Sequence, residues 1–67
     1  MTTIKLTTRQ EQVISLIAQG RTDKEIANLL SISMRTVSFH VGLIMKTLEA
    51  KSRAHAVAIR FAGKVKW

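Results

Sequence analysis

Apolar residues recur along this chain at helical spacing, and no stretch shows the strict alternation of a half-buried strand. The clearest series is Val37, Val41, Ile44 and Leu48, which at about 100° per residue fall in one narrow sector. They predict a helix over about 34–49 with a buried stripe. Its opposite face carries Arg35, Ser38, Phe39, Gly42 and Lys46, and so is polar and basic with one aromatic.

Short polar signals bound the other stretches. Val13, Ile14, Leu16 and Ile17 lie between Thr7-x-x-Gln10, spaced as a capping box, and Gly20, suited to a left-handed stop. They predict a first helix over about 7–19. A second box, Thr22-x-x-Glu25, opens a short helix over about 23–30 that carries Ile26, Ala27, Leu29 and Leu30. Ser31-Ile32-Ser33 then links it to the third helix, with Ser33 as the N-cap. A fourth helix, about 53–62, follows Ser52 and stops at Gly63. Ala54, Val57, Ala58 and Phe61 cluster on one side of it, whereas Ala56, Ile59 and Ala62 form a second apolar strip. A surface helix needs one strip. The second points to a subunit contact, or to small alanines in a tight core.

The fold class read from this pattern is all-α: one domain, 1–67, of four helices containing a helix-turn-helix at about 23–42. Ala27 is small where two helices must approach, and Ile26, Leu30, Ile32 and Val37 supply the contacts that fix their angle. With that angle fixed, the third helix projects while the second crosses a phosphate backbone.

Composition narrows what such a unit does. A chain of 67 residues buries only about 60% of the surface it exposes when unfolded. With no cysteine and only His40 and His55, neither disulfides nor a zinc site can reinforce it. No apolar run reaches the roughly 18 residues of a membrane span, and the first residues lack a secretory layout. A cytoplasmic location is therefore expected. Charge is more informative. Eleven basic residues face four acidic ones, a net +7. Residues 1–25 hold four basic and three acidic groups, whereas 26–67 hold seven basic groups against Glu49 alone. That asymmetry suits a polyanion.

The chain carries, in order, Leu6-Thr7-x-Arg9, Gln19-Gly20-x-Thr22-x-Lys24-Glu25-Ile26-Ala27, Ser31-Ile32-Ser33, Thr36-Val37-x-x-His40, Ile44-x-Lys46-x-Leu48 and Arg53-x-x-Ala56-Val57. This ordered set resembles the LuxR/GerE-type DNA-binding domain. The resemblance covers about residues 6–63 and implies a four-helix LuxR-type bundle. It further implies a third helix that reads double-stranded DNA, a fourth that mediates a weak homodimer, and a bacterial transcriptional regulator or its C-terminal effector domain. RNA polymerase or a regulatory partner would complete the set of contacts. Gln10 and Gln12 stand where relatives commonly carry Glu, and Thr8 where Pro is frequent. Ser38 and Gly42 replace longer polar or basic side chains, which thins the base-reading scheme.

The candidate DNA-binding residues are Thr22, Lys24, Arg35, Thr36, Ser38, Phe39, His40, Gly42 and Lys46. Arg35 and Lys46 are long cations able to reach phosphates or guanine edges. Phe39 can pack on thymine methyls or sugars, or fold back over the second helix. His40 serves packing or a phosphate, and Gly42 permits close backbone approach or is simply tolerated. Thr22, Lys24 and Thr36 lie at helix N-termini, where phosphates bind and where capping alone would also place hydroxyls. The dimerisation candidates are Ala56, Ile59 and Ala62. No cofactor, metal or catalytic set is expected: the carboxylates are not paired, and there is no triad or glycine-rich phosphate loop. The alternatives are a sigma-factor-like promoter-binding domain, which would end soon after the reading helix, and a protein-interaction module using the same helices. A basic helix lying on an anionic membrane is a third, less suited to short capped helices.

Overall fold

Each helix of this chain begins where a hydroxyl can take over a free backbone N–H. The computed structural model describes residues 6–62, which form α1 (Thr8–Ala18), α2 (Asp23–Leu30), α3 (Met34–Leu48) and α4 (Arg53–Phe61). The expected stop at Gly63, and Lys5, Lys64 and Lys66 of the charge count, lie outside the described residues.

Thr7 and Gln10 close a reciprocal capping box on α1: the Gln10 backbone N–H donates to Thr7 Oγ1 at 3.1 Å, and the Thr7 backbone N–H to Gln10 Oε1 at 3.0 Å. Gln10 is 8% exposed. A neutral amide completes the box there without the desolvation cost that a carboxylate would carry. Thr22 and Glu25 form the second box, at 3.2 and 2.8 Å. Ser33 caps α3 through the Thr36 N–H, and Ser52 caps α4 through the His55 N–H. The His55 ring adds a variation, its Nδ1 accepting from the Lys51 N–H at 3.0 Å.

Helix stops are equally local. Gly20 sits at φ +86°, so Arg21 N–H reaches the Leu16 carbonyl and Gly20 N–H the Ile17 carbonyl, a Schellman pair. Ser31 and Glu49 adopt the same left-handed conformation, at φ 57° and 54°, without being glycine. Ser31 turns the chain so that Ile32 N–H reaches the Ala27 carbonyl at 2.9 Å, which sets the sharp turn into α3.

Packing centres on α3, which meets all three other helices, while α1 also meets α2 and α4. Val37, Val41, Ile44 and Leu48 are all buried, together with Val13 and Ile14 of α1 and Ile26 and Ala27 of α2. Two ion pairs tie α4 to this core. Arg53 grips Asp23 at the start of α2 with both terminal guanidinium nitrogens, Nη2 lying 2.9 Å from Oδ2. Arg60 Nε lies 2.7 Å from Glu11 Oε1 on α1.

The face expected of α4 for a partner is turned inward instead. Ala56 is 3% exposed and belongs to the core, and Ile59 packs against it beside Leu6 and Leu48. Of the three residues assigned to dimerisation only Ala62 is exposed. Arg60 flanks this inner face, and its pairing with Glu11 makes that polar position compatible with an inward strip. Ala54 and Ala58, expected inside, are exposed.

Candidate nucleic-acid interface

The outer face of α3 is built by default. With Val37, Val41, Ile44 and Leu48 facing the core, residues half a turn away have nothing in the domain to contact. Arg35, Ser38, Phe39, Gly42 and Lys46 are all exposed. Leu43, 36% exposed, joins them at the edge of this face; it was not among the residues expected from the sequence. Its leucine side chain reads as core in a hydropathy pattern, and only its angular position beside Phe39 signals otherwise.

Phe39 does not fold back over α2. It is 62% exposed, and its ring lies edge-on to that of His40, with centroids 5.9 Å apart. His40 is half-buried, and its Nδ1 is sealed from solvent without a hydrogen-bond partner. That nitrogen is therefore closed to a phosphate. A Cβ built on Gly42 would meet open space, so nothing in the fold requires glycine there.

The turn ahead of α3 and the start of α2 border this face in sequence. Thr36 is half-buried, its hydroxyl 2.9 Å from that of Ser33. Thr22 and Lys24 are exposed at the start of α2. The capping box uses the N–H groups of Thr22 and Glu25, which leaves those of Asp23 and Lys24 directed out of the helix end.

Charge is distributed differently in space than along the chain. Asp23 and Glu11, from the less basic part, neutralise Arg53 and Arg60 from the more basic one. The hydrogen bond from Arg53 holds the Asp23 carboxyl below the ordinary aspartate range, partly opposed by burial, and raises Arg53 in turn. Among the described residues, the cations in no ion pair are Arg9, Arg21, Lys24, Arg35, Lys46 and Lys51. Two of these, Arg35 and Lys46, stand on the outer face of α3. No group of metal-ligating side chains exists among the described residues, and none of their helices is long and apolar enough to cross a membrane.

This geometry coincides with a known family. Residues 5–60 match the model of the bacterial regulatory proteins of the luxR family. The chain belongs to the luxR family. Its members are bacterial regulatory proteins. Similar curated proteins include the uncharacterized response regulatory protein YgeK of Escherichia coli, 48% identical over 72% of this chain and 33% of its own. The transcriptional regulatory protein DesR of Bacillus subtilis is 42% identical over 78% of this chain and 26% of its own. The transcriptional activator protein BjaR1 of Bradyrhizobium diazoefficiens is 38% identical over 91% of this chain and 25% of its own. This luxR domain thus spans about a quarter to a third of the relatives it matches. Its α4, tied back by Arg53 and Arg60, also distinguishes it from the sigma-like alternative, which would end soon after α3.

Proposed function

We propose that this chain is the DNA-reading part of a bacterial transcriptional regulator, and that α3 enters the major groove of double-stranded DNA. The observation that carries the docking geometry is the outer face of α3: fully available, with Arg35 near its start, Lys46 three turns on, and neither in an ion pair. The N-terminal end of the reading helix goes deepest into the groove in this motif. Arg35 is then the base reader, and Lys46 a phosphate contact where the helix leaves the groove. Thr22 and Lys24, at the open start of α2, meet the flanking backbone. Thr36 orients the first turn of α3 through Ser33, while Ser38 and Gly42 let the helix sit close. His40 supports Phe39 by packing.

The regulator is a longer protein in which this part is the C-terminal effector. It acts in the cytoplasm, on the nucleoid when bound, and passes its output to RNA polymerase or a regulatory partner. Two copies on half-sites about 10 bp apart would follow from a two-fold arrangement. With Ala56 and Ile59 turned inward, the exposed apolar residues left for a second copy at α4 are Ala54, Ala58 and Ala62.

Binding measured on a selected duplex and a scrambled one, across salt concentrations, tests the reading. Wild-type affinity should fall with a log–log slope of about −0.9 per phosphate contact. Arg35→Ala should lose about 1–3 kcal/mol on the selected duplex and relax preference at one or two positions. Lys46→Ala should weaken both duplexes alike and flatten the slope by about one. A preference altered by Lys46→Ala and untouched by Arg35→Ala would reverse the docking direction.

A further inference from the structure

Phe39 and Leu43 stand one helical turn apart on the outer side of α3, 62% and 36% exposed. Neither belongs to the core or to the apolar residues packed against it. Between them along the helix lies Gly42, with open space where its side chain would be. Arg35 and Lys46 flank the pair toward the two ends of the helix, and the domain draws neither cation away into an ion pair. The result is an apolar contact surface bracketed by positive charge. That combination is complementary to a polyanion that also presents something apolar.

The major groove of DNA offers one apolar group, the C5-methyl of thymine; every other base-edge feature there is a hydrogen-bond donor or acceptor. An apolar ring laid against a donor or acceptor strips its water and returns no hydrogen bond, which is unfavourable. Laid against a methyl it buries apolar surface on both sides. We infer that Phe39 and Leu43 form a thymine-methyl reader, so that this domain selects its sites in part by methyl groups rather than by hydrogen bonds. This rests on α3 lying in the major groove, as proposed above. One helical turn rises about 5.4 Å and one base pair about 3.4 Å. The two side chains therefore meet thymines on adjacent or next-adjacent base pairs. Ser38 and Gly42 are too short to compete for those edges.

Uracil is thymine without the methyl, so it tests the claim with no change in base pairing. A duplex selected from a random pool by the wild-type chain is rebuilt with uracil at each thymine in turn, and affinity is measured for wild type, Phe39→Ala and Leu43→Ala. At one or two positions uracil should weaken wild-type binding about fourfold, the factor corresponding to about 0.8 kcal/mol for one buried methyl. At those positions the penalty should shrink toward onefold in one or other variant. Exchanging a sensitive thymine–adenine pair for cytosine–guanine should weaken binding, and 5-methylcytosine in place of that cytosine should recover about fourfold. If wild type binds with the expected salt dependence but every uracil duplex equals its parent, methyl reading is overturned while groove docking stands. A sensitivity that persists undiminished in both variants also overturns it. If no duplex is bound in a salt-dependent way, the docking of α3 falls and the methyl reader with it.

Discussion

Replacing Asp23 by Asn and Arg53 by Met, singly and together, isolates the contact that ties the start of α4 to the start of α2. Two unit charges about 4 Å apart interact by about 1 kcal/mol in water and about 4 kcal/mol at the effective dielectric of a protein surface. The side chains are 43% and 23% exposed for Arg53 and Asp23, so screening pulls the value toward the lower figure. Ordering the arginine side chain removes up to about 2 kcal/mol more. Bidentate geometry works the other way, because two parallel charge-assisted bonds share a single ordering cost. The expected coupling is about 0.5–1 kcal/mol, in the upper part of the range for exposed pairs. A domain of this size has a total stability of about 3–10 kcal/mol and shifts its midpoint by about 4–8 °C per kcal/mol. Loss of the coupling is thus worth about 2–8 °C. Thermal and urea unfolding of the four proteins, followed by far-ultraviolet circular dichroism, gives the cycle. The effect also has a pH signature. Because the folded Asp23 carboxyl titrates below its unfolded value, the folded state binds its proton less readily. Its stabilising contribution is complete above about pH 4 and is lost as pH falls through the folded value. The stability gap between wild type and Arg53→Met should therefore narrow below about pH 4. A coupling indistinguishable from zero at neutral pH would refute the reasoning and leave α4 held by apolar contact and the Glu11 pair alone.

Three further substitutions test positions described above. Ile59→Asp removes an apolar side chain from the cleft with Leu6 and Leu48 and puts a carboxylate beside Glu11. It should cost about 2–3 kcal/mol of stability, read by urea unfolding; an unchanged midpoint would return the strip to the surface. Gly42→Ala fills open space in a helix interior, so it should raise stability by about 1 kcal/mol. The same change should weaken binding to a selected duplex if the α3 backbone approaches the bases, and an unaltered affinity would end that role for Gly42. Glu49→Gly relieves a left-handed residue at φ 54° and should stabilise by about 0.5–1 kcal/mol in thermal unfolding.

The parts of this fold legible in sequence were those decided within one helix or one turn. Thr7 with Gln10, Thr22 with Glu25, and Gly20 signal helix ends through residues three or four positions apart, and the α3 stripe repeats often enough to fix its phase. What escaped was decided by contacts distant in sequence. In α4 two apolar strips compete, and periodicity alone cannot choose between them. The choice is made by Glu11, 49 residues from Arg60, whose ion pair makes a charged residue acceptable at the edge of the inner face. Ser31 and Glu49 escaped for another reason. Left-handed stops advertise themselves when glycine supplies them, and here the surrounding hydrogen bonds impose the conformation on residues that do not favour it. On the candidate interface the exposure of Arg35, Phe39 and Lys46 followed from the stripe behind them. Leu43 did not, since an apolar residue next to Ile44 reads as core until its angle is taken into account.

The clamp of Arg53 on Asp23 has an electrostatic consequence for the motif it supports. Taken alone, residues 23–48 contain three basic and two acidic side chains, so the helix-turn-helix by itself is close to neutral. Asp23 would also hold a bare carboxylate at the helix end best suited to receive a phosphate. Arg53 covers that carboxylate and turns a repulsive spot into a neutral one, while Lys51, just ahead in the loop, remains unpaired. The fourth helix therefore acts as a counterion built into the chain. A segment trimmed to the two-helix motif would keep Lys24, Arg35, Phe39 and Lys46 and still present a less attractive potential to DNA.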